Sequence, residues 1–130
     1  GSEMCIRDSD IIFNIDRNRL WQICMNLLTN AVKHTKKGSI WFGYTLEAEE
    51  KMIKFYVSDT GCGIPKDELD NIFARFVQLS DFEQGIGLGL AICKGLVLKM
   101  GGNISVMSEE GFGSTFIFTL PMKRPNSWKN

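Results

Sequence analysis

The sequence predicts an α/β (α+β) two-layer sandwich, a mixed, mostly antiparallel sheet covered on one face by about three helices. Three observations predict it. Runs of β-branched and aromatic residues are joined in pairs by short polar turns, which suits hairpins better than parallel crossovers. Between them lie stretches whose apolar residues recur at helical spacing. Finally, 130 residues, 44% hydrophobic and 23% charged, suit one packed core and disfavour both a second domain and wholesale disorder.

Gly1-Ser2 reads as a cleavage scar, and residues 1–9 show neither period, so they are expected to be a linker. Residues 10–122 form the expected folded unit, and 123–130 a tail. Ile11 to Ile15 alternates weakly and reads as a short strand ending at Asp16, whose carboxylate suits a helix N-cap. Leu20, Ile23, Cys24, Leu27, Leu28 and Ala31 then make one apolar helical stripe, and Lys36-Lys37-Gly38 supplies a basic last turn and a glycine stop. Ser39 to Leu46 and Met52 to Ser58 are read as a hairpin. A glycine loop follows, then a short helix from Lys66 to Phe76 with Leu69, Ile72, Phe73 and Phe76 on one face. Gly87 to Met100 is a further helix, closed by Gly101-Gly102. Asn103 to Ser108 and Ser114 to Leu120 are the last two strands, with Pro121 stopping the second.

Fifteen basic residues balance fifteen acidic ones, so no net charge favours nucleic acid as a partner. No apolar run approaches the roughly 18 residues that cross a bilayer, so no direct membrane contact is expected, and the fragment is expected to be cytoplasmic even if a parent protein is an inner-membrane sensor. Cys5, Cys24, Cys62 and Cys93 form no C-x-x-C pair, which disfavours a zinc site and a disulfide scaffold, leaving reduced thiols.

Three places could carry chemistry. Asn26, Asn30 and Lys33, at i, i+4 and i+7, form a polar stripe with His34 at its edge. A solvated helix face is the plain reading. Against it, asparagine is a poor helix former, an amide oxygen is a hard ligand suited to Mg²⁺, and lysine is a point charge for phosphate. Asp59 leaves a strand just before Gly61-Cys62-Gly63. It could close an Asx turn, or accept from an exocyclic amine such as that of adenine. Gly85-Ile86-Gly87-Leu88-Gly89-Leu90 opens a helix, where free N–H groups and a positive dipole suit phosphates. It is neither a P-loop nor a dinucleotide fingerprint.

Taken in order, these pieces resemble the catalytic and ATP-binding domain of sensor histidine kinases, of the GHKL superfamily with its Bergerat fold, over roughly Ile12 to Pro121. Asn26-Leu27-Leu28-Thr29-Asn30-Ala31-Val32-Lys33-His34-Thr35 is similar to the N box. Asp59-Thr60-Gly61-Cys62-Gly63-Ile64-Pro65 resembles the G1 box, Ile72-Phe73-Ala74-Arg75-Phe76 the F box, and Gly85 to Leu90 the G2 box. Gly111-Phe112-Gly113-Ser114-Thr115-Phe116 resembles the last glycine box. Each is weak alone; five in order are not.

The resemblance implies roles. Asn30 would coordinate Mg²⁺ with Asn26 assisting, and Lys33 and His34 would face phosphates or ribose. Asp59 would accept from the adenine amine, with Gly61, Gly63 and Ile64 around the base. Gly85, Gly87, Leu88, Gly89 and Leu90 would line the phosphates, and Ser114 would lie near the adenine pocket. Phe73 and Phe76 would pack under the lid. The implied activity is transfer of the γ-phosphoryl group of Mg-ATP to a histidine on a separate dimerisation domain, and from there to a response regulator. Hydrolytic relatives carry a glutamate base where Asn26 stands, and an amide cannot take a proton from water, so phosphotransfer fits better than hydrolysis. The chain departs from the family pattern at Ile86, where threonine is frequent, at Gln78, and in the short stretch Val77 to Gln84. A nucleotide-free docking module and a protein-serine kinase of the same superfamily are the alternatives.

Overall fold

A computed structural model of the chain describes residues 3–8, 11–74 and 86–122, with side chains from 15–74 and 89–122. Strand β1 (Glu3–Asp8) pairs antiparallel with β2 (Ile11–Asp16) as a separate two-stranded sheet. Residues 3–8, which show neither period and were expected to belong to a linker, thus form a strand, because backbone pairing needs no side-chain alternation. Helix α1 (Arg17–His34) starts where Asp16 accepts a hydrogen bond from the Arg19 backbone N–H at 3.2 Å. It ends earlier than Gly38: Thr35 is the C-cap, its N–H reaching the Val32 carbonyl, and Lys33 and His34 form the basic last turn.

Strands β3 (Ile40–Glu47) and β4 (Met52–Asp59) make the expected hairpin. Helix α2 (Lys66–Leu69) is much shorter than the expected Lys66–Phe76. Beyond it the chain continues in tight turns, with Asn71, Ile72 and Ala74 N–H groups each reaching back three residues. Such bonds keep Leu69, Ile72 and Phe73 against the core without an α-helix. Helix α3 (Ile86–Lys99) leads into β5 (Asn103–Glu109) and β6 (Gly113–Pro121). Pro121 is the last paired residue of β6, opposite Met52.

The main sheet runs β3-β4-β6-β5, and every described pairing is antiparallel, so the expected mixed character is absent from the described residues. Burial alternates strictly along β4, where Ile53, Phe55, Val57 and Asp59 face inward. Phe116, Phe118 and Leu120 of β6 lie alongside them, and Phe55 stacks on Phe118 with ring centres 4.8 Å apart. The helices cover this face with Leu20, Ile23, Leu27 and Ala31 of α1 and Leu90, Cys93 and Val97 of α3. Each large apolar side chain so buried contributes roughly 1.5–3 kcal/mol. Among the described residues no helix is long and apolar enough to cross a membrane.

Candidate functional site

The site lies at the end of the sheet where β4 stops. Ile40, Asp59, Ser114 and Ser108 form one row across its four strands. Asp59 is buried and is the last residue of β4, and its Oδ1 accepts from the Gly61 N–H at 2.9 Å. The plain Asx-turn reading is thus correct for one carboxylate oxygen, and the contact restrains the group. Ser114 is buried beside it, its hydroxyl 2.8 Å from that of Ser108.

The loop after Asp59 is tied down on two sides. Towards α1, the Cys62 N–H donates to the His34 carbonyl at 3.2 Å, and the Thr60 hydroxyl accepts from the Ser39 N–H at 2.9 Å. Gly61 lies so close that a side chain there would strike the His34 carbonyl. Towards the β5–β6 turn, the Gly111 N–H donates to the Cys62 carbonyl at 2.7 Å. The Ser108 hydroxyl accepts from the Ile64 N–H at 2.8 Å and donates to the Gly113 carbonyl at 2.9 Å. Gly63 adopts φ +74°, and a β-carbon there would collide with the Glu109 carbonyl. Only glycine fits both the dihedral and the approach.

Between these segments opens a cavity of about 720 Å³. Lys33 and His34 of the expected residues line it together with Gly61 and Gly63, and Thr60, Cys62, Lys36, Lys37 and Glu110 join them. The lysines give its wall a positive cast.

Asn30, like Asp59 and Ser114 a buried polar residue, projects from the inward face of α1. Its Oδ1 has no hydrogen-bond partner among the described residues. An unpaired buried oxygen costs about 1–3 kcal/mol, which an incoming donor or cation would relieve. Asn26, one turn earlier and half-buried, directs its amide N–H at the Cys93 sulfur on α3. Cys93 is fully buried and its thiol reaches the Ile23 carbonyl at 3.8 Å. Burial pushes its pKa from 9.0 up to about 12, and that of Cys24 up to about 11.

Gly87 and Gly89 fall in the first turns of α3, and a β-carbon on Gly89 would meet nothing within 4 Å. Leu90 and Ile64, by contrast, are buried core residues, so they support the site from beneath. Phe73 packs edge-on against Phe116 with ring centres 6.0 Å apart. Gly85, Arg75, Phe76 and the stretch Val77 to Gln84 with Gln78 lie outside the described residues, as do the side chains of Ile86 and Leu88. Sequence reasoning missed Ser108, Glu110, Lys36 and Lys37 as parts of this end. Only the proximity of Lys36 and Lys37 to the asparagine stripe offered a signal.

The sequence model of the Histidine kinase-, DNA gyrase B-, and HSP90-like ATPase family matches residues 15–124. The Aerobic respiration control sensor protein ArcB of Escherichia coli (strain K12) is 46% identical over 110 residues, covering 81% of this chain and 14% of that protein. The crystal structure of full-length ShkA in complex with AMPPNP aligns at a TM-score of 0.78 with 38% identity, over 87% of this chain and 23% of ShkA. The nucleotide-free catalytic domain of the histidine kinase ThkA aligns at 0.73 with 30% identity, over 89% and 74% of the two chains.

Proposed function

Because the chain belongs to the Histidine kinase-, DNA gyrase B-, and HSP90-like ATPase family, we propose that it binds Mg-ATP and presents the γ-phosphoryl group to a histidine on a separate dimerisation domain. From there the group would pass to a response regulator, with the chain acting in the cytoplasm. The carrying observation is the buried, unpartnered Asn30 oxygen one helical turn from Asn26.

The residues divide the work. Asp59, restrained by the Gly61 N–H, accepts from the adenine amine. Gly61 and Gly63 leave bare backbone for the flat base, and Lys33 offers charge to phosphate oxygens. The free N–H groups at the start of α3, around Gly87 and Gly89, offer further donors. Asn30 and Asn26 present neutral, hard oxygens that fit Mg²⁺, a cation that supplies charge neutralisation between phosphates. Neither asparagine can abstract a proton. Water therefore lacks a base at this position, whereas an imidazole nucleophile needs none. That favours transfer over hydrolysis, and positioning over covalent chemistry on this chain. The AMPPNP named with ShkA supports the same reading.

Calorimetric titration with a non-hydrolysable ATP analogue, with and without Mg²⁺, tests it. Binding should tighten with Mg²⁺ in the wild type and lose that dependence in Asn30→Ala. The variant should melt no lower, since alanine improves helix propensity and removes an unpaired buried oxygen. Undiminished Mg²⁺ dependence in the variant would move the cation elsewhere, and no binding at all would defeat the reading.

A further inference from the structure

We propose that Cys62 is a thiol-modification site that closes the nucleotide cavity, taking a mixed disulfide from a small anionic disulfide. The effect on binding rests on the nucleotide reading above; the reactivity of the sulfur does not.

The three described thiols differ sharply. Cys93 is buried and Cys24 largely so, and burial holds both in the neutral form, which is a poor nucleophile. Cys62 is exposed, and its Sγ lies 3.6 Å from the His34 Nδ1. His34 is the last residue of α1, and it lines the same cavity as the sulfur. Among the described residues, Lys33, Lys36 and Lys37 line the same cavity, with Glu110 as the one acid. Exposure, an adjacent base and a positive surround are the conditions under which a cysteine reacts as thiolate. The backbone of Cys62 is also held at both its N–H and its carbonyl.

The step balances. The imidazole nitrogen takes the thiol proton, and the Cys62 sulfur attacks one sulfur of the small disulfide. One S–S bond forms as the other breaks, and the departing thiolate takes a proton. Cys62 is oxidised and the small disulfide reduced. The lysines attract carboxylates on the incoming molecule. A peptide-sized adduct then stands between Gly61 and Gly63, on the wall where a flat base would lie.

The test uses the whole chain carrying Cys5→Ser, treated with oxidised glutathione, with peptide mass mapping and ADP titration before and after. The adduct is expected on Cys62 and on neither Cys24 nor Cys93. His34→Ala should slow its formation about tenfold, as expected when the thiolate fraction falls. A neutral hydroxyethyl disulfide should react more slowly than the anionic one, a comparison that needs no variant. Saturating ADP should protect Cys62, and dithiothreitol should restore ADP binding to the treated protein. Equal labelling of Cys24 or Cys93, or a rate unmoved by His34→Ala, would overturn the site. Full labelling of Cys62 with unchanged ADP affinity would overturn the closure. If the untreated chain binds no ADP while Cys62 still labels selectively, the nucleotide reading fails and the reactive site stands.

Discussion

Asp59 shows how much one side chain can be asked to do. One oxygen accepts from the Gly61 N–H, which restrains the carboxylate's rotation. An acceptor restrained in this way suits the N6 amine of adenine and opposes the O6 oxygen of guanine. ADP should therefore bind tighter than GDP by about 10- to 100-fold, the range that one unmatched buried polar group costs. Asp59→Asn should erase most of that preference. Equal calorimetric affinities for ADP and GDP in the wild type would show that the base is read elsewhere. Asp59 was legible in the sequence because it combined a strand end with two following glycines. The sulfur of Cys93 was not, since a small residue on an apolar helix stripe looks like any other core residue until α1 and α3 are brought together.

Elements carry a different kind of prediction, because glycines that look alike in the sequence occupy unlike places. Gly63→Ala forces a β-carbon onto the Glu109 carbonyl at a positive φ, and should destabilise the fold by more than about 1 kcal/mol. Gly89→Ala meets open space inside a helix and should stabilise it by roughly 0.5–1 kcal/mol, while weakening ATP binding if phosphates approach that turn. Thermal melts paired with nucleotide titration separate the two. The α1–α3 contact predicts an alkaline limit. Below pH 9.0 the thiols of Cys24 and Cys93 are protonated whether the chain is folded or not. Between that value and about 11 to 12, only the folded form keeps its protons. Stability should thus fall as pH rises through this window, and Cys93→Ala should flatten the fall; a profile that stays level to the upper end would contradict it. The hairpins, α1 and α3 were readable because their periods are strong and long. Strand β1 was missed because its pairing is a backbone event, and α2 was overextended because tight turns of three residues reproduce the same apolar spacing as a helix.

At the scale of the whole molecule, the described residues hold a place for nucleotide and no acceptor histidine, since His34 belongs to the cavity wall. The isolated chain should neither label itself with radioactive ATP nor release phosphate quickly. It should label a matching histidine domain added in trans, slowly and in proportion to protein concentration, because a tether's effective concentration is lacking. Label on the isolated chain, or rapid phosphate release from it, would favour a hydrolase. The order of the boxes made the nucleotide-binding family readable from sequence. The closing of the cavity by the β5–β6 turn was not, for Ser108 and Gly111 reach the loop after Asp59 only across a distance of more than forty residues.

The same end of the sheet receives the C-terminus of α1 and the end of β4, whereas the chain enters α1 at its opposite terminus and leaves β6 beside Lys51, where the Met122 N–H meets the Lys51 carbonyl. The start of α1 and the end of β6 therefore both lie away from the cavity. Eighteen residues of helix put about 27 Å between the α1 attachment and the site, so a swing of about 10° there carries the cavity about 5 Å. The domain is a lever with its fulcrum at the start of α1 and the cavity at its far end, so that a small rotation about the first displaces the second most.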